Sequence, residues 1–143
     1  MSEELRELYQ RVIIDHNRSP RNYGHVENST HRAEGYNPIC GDRIELSLRI
    51  NEDIVEAIGF ESASCAICQA SASLMTVAFE GKHLLNIEAI TQAVSGILSR
   101  EASVANDLGP EDPLRALSGV RQFPARIKCA QLPWETYCAA LKK

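Results

Sequence analysis

The sequence predicts an α+β fold: a small three-stranded antiparallel sheet with helices packed on one face. Three observations lead there. Residues 43–50 alternate apolar and polar without a fault, as a half-buried strand does. A second run of strand character follows directly after a turn. The spacing of apolar residues is helical both at the start of the chain and from Cys65 onward. No linker or repeat divides the chain, so residues 1–143 read as one domain.

The elements follow in order. Leu5, Leu8, Tyr9, Val12 and Ile13 recur at helical spacing between charged residues, an amphipathic helix. Pro20 ends it, because the residue before a proline is pushed out of the helical region. A polar connection runs through Asn28, Ser29 and Thr30, and residues 31–36 supply an edge strand. In the alternating run, Ile44, Leu46, Leu48 and Ile50 face one way; Arg43, Glu45, Ser47 and Arg49 face the other. Asn51-Glu52-Asp53 is turn-like, and Ile54, Ile58 and Phe60 return as the hairpin partner. Ile67, Ala70, Ser71, Leu74, Met75 and Ala78 then form a stripe of mostly small residues, which lets a helix approach its neighbour closely. Ile87, Ile90, Val94, Ile97 and Leu98 mark another helix. Residues 110–117 read as a short one with Gly119 as its stop. Ile127, Trp134, Cys138 and Leu141 mark the last, where Pro133 predicts a kink or a fresh start near Leu132.

The chain has 143 residues, 44% hydrophobic and 24% charged, which suits an ordinary globular domain with its own core. A net charge of −4 argues against nucleic-acid binding, which usually needs a basic face. No apolar run nears the roughly 20 residues that span a bilayer, so no membrane role is expected. The acidic, helical start does not read as a signal peptide. The expectation is a cytoplasmic protein whose five cysteines stay reduced and serve metal binding or thiol chemistry.

The cysteines sort by surroundings. Cys138 lies on the apolar stripe with Trp134 and Leu141, so a buried core thiol is expected. Cys129 is nine positions earlier, about 900° around a helix, and so faces the opposite way. There it stands beside Arg126 and Lys128, cations that favour a thiolate; an exposed spectator is the plainer reading. Cys40 sits in Asn37-Pro38-Ile39-Cys40-Gly41-Asp42, a turn that exposes the thiol just before the clean strand. Asp42 reads equally as a turn-capping carboxylate or a ligand. Cys65 and Cys68 make a Cys-x-x-Cys at a strand-to-helix junction, with Cys65 near the helix N-terminus. Cys40, Asp42, Cys65 and Cys129 together make a plausible tetrahedral zinc set. Its formal charge of −2 calls for compensation, for which the helix end, Arg126 and Lys128 are at hand. An aspartate ligand suggests a site that releases a ligand rather than a purely structural clamp. His16, His25, His31 and His83 lack metal-ligand spacing and read as structural or solvated, with His16 in a helix-end cap or dipole role.

Four ordered motifs resemble one family, the U-type iron–sulfur assembly proteins (IscU/NifU-like), and within it the SufU branch. They are Ile14-Asp15-His16 with Pro20-Arg21-Asn22-Tyr23-Gly24; Asn37 to Asp42; Cys65-Ala66-Ile67 with Ala70-Ser71-Ala72-Ser73; and Arg126-Ile127-Lys128-Cys129-Ala130 with Leu132 and Trp134. Lys128 stands where scaffold-type members carry a histidine. Cys129 follows Cys65 by 64 positions, a spacing similar to SufU-type chains with an insertion, here placed between Ile87 and Gly109. The chain departs from the pattern at Ser64, where glycine is usual, at Cys68, where a small residue is usual, and at Pro133.

The resemblance implies a SufE/NifU-like fold and a zinc-dependent sulfur acceptor and carrier, sulfurtransferase-like. It implies zinc held by Cys40, Asp42, Cys65 and Cys129. Cys40 would take persulfide sulfur from a PLP-dependent, SufS-like cysteine desulfurase, whose histidine displaces Cys40 from zinc. Arg126 matches an arginine that positions the freed thiol. Downstream iron–sulfur assembly proteins would receive the sulfur. Two alternatives remain: a scaffold building a [2Fe–2S] cluster on the same ligands, and a structural zinc domain for protein interaction. Cys68 reads as a packing residue or spectator, or as a thiol that could reach the metal or pair with Cys65.

Overall fold

The computed structural model describes residues 3–99 and 112–142. Helix α1 spans Glu3–Arg18, and strands β1 (His31–Asn37), β2 (Asp42–Asn51) and β3 (Ile54–Ala63) follow. Helices α2 (Ala66–Phe79) and α3 (Leu84–Leu98) come next, then 3₁₀ turns over Pro113–Gln122 and Pro124–Arg126, and α4 (Ile127–Leu141). The far end of the expected insertion, up to Gly109, and Pro110 of the expected short helix lie outside the described residues.

The three strands form one antiparallel sheet in the order β1-β2-β3. The β2–β3 hairpin closes with two residues, Glu52 and Asp53, both at positive φ (51° and 63°), the conformation a tight two-residue turn demands. Ala33, Ile44, Leu46, Leu48, Ile58 and Phe60 are buried on the helix-covered face. Glu34, Glu45 and Glu61 align across the other face and are exposed. The edge strand and the alternation are as expected, because one buried face fixes the register.

Helix α4 lies directly on β1: a Cβ on Gly35 would collide with Thr136 Oγ1. Its neighbour α2 joins it through buried polar bonds. Ser71 Oγ donates to the Ala130 carbonyl at 2.7 Å and accepts from Trp134 Nε1 at 2.9 Å. Phe79 packs edge-on against both Trp134 and Tyr137.

Several expectations are corrected. Helix α4 runs unbroken through Pro133. Proline costs it one bond, to the Cys129 carbonyl, but the Ser71 bonds pin that same turn to α2. The short helix is a 3₁₀ segment over Pro113–Gln122, and Gly119 lies inside it rather than stopping it. Gly119 leaves room for the Tyr9 ring, which any Cβ there would strike. Cys138 is exposed, not buried, and Leu141 is 39% exposed. Cys129, expected off the core, is fully buried.

The N-terminal motif does structural work on α2. His16 is buried, with Nδ1 2.7 Å from Ser73 Oγ, which also accepts from the Arg21 N–H at 2.8 Å. Asn22 Nδ2 donates to Thr76 Oγ1 at 3.1 Å. An Asp15–Arg21 ion pair at 2.6 Å holds the bend between them. His83 caps α3, accepting from the Leu85 N–H. Among the described residues no helix is long and apolar enough to cross a membrane.

Candidate metal centre

Three separate pieces of chain meet at one end of the sheet. The first is the β1–β2 loop with Cys40, followed by Asp42 at the first position of β2. Gly41 has φ +74°, a left-handed conformation suited to glycine, and its N–H donates to the Asn37 carbonyl at 2.8 Å. The Ile39 N–H donates to Asn37 Oδ1 at 3.2 Å. Those two bonds fold the loop tightly and leave Cys40 half-buried at its rim.

The second piece is the start of α2. Cys65 is its N-cap residue, with extended backbone (φ −72°, ψ 166°). Its side chain makes no capping bond; its N–H instead donates to Asp42 Oδ1 at 2.9 Å. The third piece is the first turn of α4, which carries Cys129 behind the exposed Arg126 and Lys128.

Cys40, Asp42 and Cys129 offer ligand atoms that all lie within 4.8 Å of one another. Cys65 stands outside that trio and is tied to it through its backbone N–H on Asp42. Of the four expected ligands, three are gathered and the fourth flanks them. Asp42 is fully buried, and its second carboxylate oxygen, Oδ2, has no hydrogen-bond partner. A buried carboxylate oxygen left unpaired is costly. Here the carboxylate stands beside two thiols, the chemistry a divalent cation completes. Three thiols and a carboxylate suit tetrahedral zinc.

The electrostatics agree with a place built for anions in need of a cation. Burial first, then hydrogen bonds with Asp42, Cys40 and Cys65, push the Cys129 thiol well above its ordinary value. The hydrogen bond to the Cys129 sulfur, then the fields of Cys65, Cys129 and Cys40, raise the Arg126 guanidinium. Arg126 is exposed and three positions before Cys129.

Cys68 is a core thiol. It is fully buried, and burial pushes its pKa up to about 12. All five cysteines are free thiols. Spacing showed none of the roles of Asn37, which closes the Cys40 loop, or of His16 and Ser73, which hold α2. The available signal for the latter was the run of buried polar residues Ser71, Ser73 and Thr76 within an otherwise apolar helix.

Within the cluster Asp42 and Cys129 are fully buried, while Cys40 and Cys65 are half-buried. A groove of about 610 Å³ lies on the opposite face, lined by His25, Arg32, Glu34, Glu45, Ser47 and Glu61 among others, and carries none of the sulfur residues.

Known proteins share this arrangement of elements. Zinc-dependent sulfurtransferase SufU of Bacillus subtilis (strain 168) is 43% identical over 129 residues, covering 90% of this chain and 85% of that protein. Iron–sulfur cluster assembly scaffold protein IscU of Streptococcus pyogenes serotype M1 is 34% identical over 141 residues, covering 98% and 86%. A crystal structure from Fervidobacterium islandicum AW-1, described as a candidate iron–sulfur cluster assembly scaffold protein for the SUF system, superposes with a TM-score of 0.82 at 28% identity, covering 94% of this chain and 97% of that one. Residues 8–143 match the family described as NifU-like N terminal domain, and the chain belongs to that family.

Proposed function

We propose that this chain is a zinc-dependent sulfur acceptor and carrier for iron–sulfur cluster assembly, holding zinc through Cys40, Asp42, Cys65 and Cys129. The observation that carries the reading is Asp42: fully buried, its Oδ2 unpaired, and a carboxylate oxygen within 4.8 Å of the Cys40 and Cys129 sulfurs. Completing the set asks the Cys65 side chain to turn toward the other three, its backbone being already tied to Asp42. Bound zinc would hold the thiols as thiolates at neutral pH and shield Cys40 from oxidation.

The residues divide the work by accessibility. Cys129 and Asp42 are buried and hold fast; of the two half-buried thiols, Cys65 is fixed at the α2 cap, and Cys40, on a loop, is the sulfur that can leave and react. As a thiolate, Cys40 Sγ attacks the outer sulfur of a donor persulfide. The donor's S–S bond breaks, its inner sulfur departs as thiolate, and Cys40 becomes the persulfide. Arg126, exposed and three positions before Cys129, steadies the freed Cys40 thiolate. A protein surface suits the donor better than a small molecule, because large apolar side chains beside Cys40 and Arg126 in the sequence, Ile39 and Phe123, are exposed. A PLP-dependent, SufS-like cysteine desulfurase fits that role, with downstream assembly proteins as recipients. The protein is expected to work in the cytoplasm, where its thiols stay reduced.

The test is a desulfurase assay with L-cysteine, comparing wild type with Cys40→Ala. Wild type should stimulate turnover and gain one sulfur atom on Cys40 by mass spectrometry; Cys40→Ala should do neither. A wild-type chain that neither stimulates nor acquires sulfur overturns the carrier reading. The relatives named as IscU scaffolds favour a second reading, a [2Fe–2S] cluster built on the same residues. It predicts a brown protein after anaerobic purification, whereas the carrier is colourless with one zinc per chain.

A further inference from the structure

Asn37 is the last residue of β1 and only 7% exposed. Its main-chain carbonyl and its Oδ1 both accept bonds from the Cys40 loop, from Gly41 and Ile39 respectively. The orientation of the amide is fixed by the second bond, because a flipped amide would set N–H against N–H. That leaves Nδ2 pointing the other way, buried and without a partner.

Two buried side-chain atoms among the described residues lack partners, and both are here: Asn37 Nδ2 and Asp42 Oδ2. Asn37 and Asp42 are directly paired across β1 and β2, on the same face of the sheet. A donor and an acceptor placed so could satisfy each other, yet they do not. Each is therefore kept for a third group. The carboxylate oxygen suits a cation. The amide N–H suits an anion, and the anion on Asn37's own loop is the Cys40 sulfur, whose ligand atom lies within 4.8 Å of Asp42's.

We propose that Asn37 is a positioning residue for sulfur transfer: Oδ1 clasps the loop while Nδ2–H donates to the Cys40 sulfur. The donor draws charge from that sulfur while it is held at the site and keeps its direction fixed once it is freed. This inference rests on the metal-bound carrier reading. It extends that reading to a residue supplying no ligand atom, as outer partners of ligands commonly orient and tune them.

The test loads the full chain with ¹¹³Cd and records proton–cadmium correlation spectra with the Asn37 side-chain amide assigned. A hydrogen bond to a metal-held sulfur transmits scalar coupling, which a merely structural asparagine would not show. We expect one Asn37 Nδ2 proton to couple to cadmium. In parallel, Asn37→Asp keeps an acceptor for the Ile39 N–H, replaces the donor with an oxygen and adds a negative charge opposite Asp42, so the cadmium coupling in the wild type is the decisive arm. The variant's persulfide acceptance should fall about 10–100-fold. Cadmium bound without coupling to this amide overturns the inference and leaves the metal reading standing. So does an Asn37→Asp variant that accepts sulfur at the wild-type rate. A chain that takes up no cadmium overturns the metal reading itself, and this inference with it.

Discussion

His16 is 8% exposed, with its ring nitrogen against Ser73 on α2. Burial is the main cause lowering its pKa; the Arg21 charge lowers it further, and Asp15 opposes them. The folded protein thus keeps the ring neutral, while the unfolded chain takes a proton near about pH 6.5. Between the lowered folded value and about 6.5 the unfolded state binds more protons, so stability falls as pH falls through that window. Melting temperatures of wild type and His16→Gln between about pH 5 and about pH 7.5 check this. The wild type should lose stability below about pH 6.5, and the variant, whose amide can still meet Ser73, should lose less. Parallel curves for the two proteins would clear His16 of the effect. This role was invisible in the local sequence. A histidine at a helix end is compatible with a simple cap, and its true partner is 57 positions away.

At the scale of elements, the α2–α4 contact holds two of the three site pieces in place, since Cys65 is the N-cap of α2 and α4 carries Cys129 in its first turn. Ser71 is the polar hinge of that contact. Ser71→Ala strands the buried Trp134 N–H and should cost about 1–3 kcal/mol in urea unfolding. Adding Trp134→Phe removes the stranded donor, so the double variant should lose less than the two single losses together. A Ser71→Ala chain within about 0.5 kcal/mol of wild type would show the bond to be dispensable. The strands were legible because one wet face imposes a period of two. The facing of α4 was not, because the helix is buried on most sides, against β1 and against α2. Its narrow wet stripe is Lys128, Gln131, Glu135, Cys138 and Lys142. Lys128, Glu135 and Lys142 already stand seven apart in the sequence, which puts Cys138 on the wet side; the apolar residues alone pointed the other way.

At the scale of the whole molecule, the site exists only because the fold joins a loop, a helix cap and a helix first turn. Residue types and spacing proposed the four ligands but left Asp42 undecided between turn cap and ligand. The structure gives one carboxylate oxygen to the Cys65 N–H and leaves the other buried and unpaired, with the carboxylate near the Cys40 and Cys129 sulfurs. On the proposed metal reading, that division would make the stability of the whole domain depend on the cation. A ligand present at a hundredfold its Kd adds about 2.7 kcal/mol, or roughly 5–10 °C in Tm for a domain of this size. Asp42→Asn separates the two contacts. The amide keeps Oδ1 for the Cys65 N–H, removes the buried charge, and offers the sulfurs a donor in place of an unpaired oxygen. After chelation, Asp42→Asn should therefore melt at or above the temperature of chelated wild type, because an uncompensated buried carboxylate is gone. With zinc added, the order should reverse, since the variant has lost an anionic ligand and gains less from the metal. Differential scanning calorimetry of both proteins, with chelator and with zinc, reads all four values. A chelated variant that melts well below chelated wild type, together with an undiminished zinc gain, would mean that Asp42 is a structural cap and not a ligand.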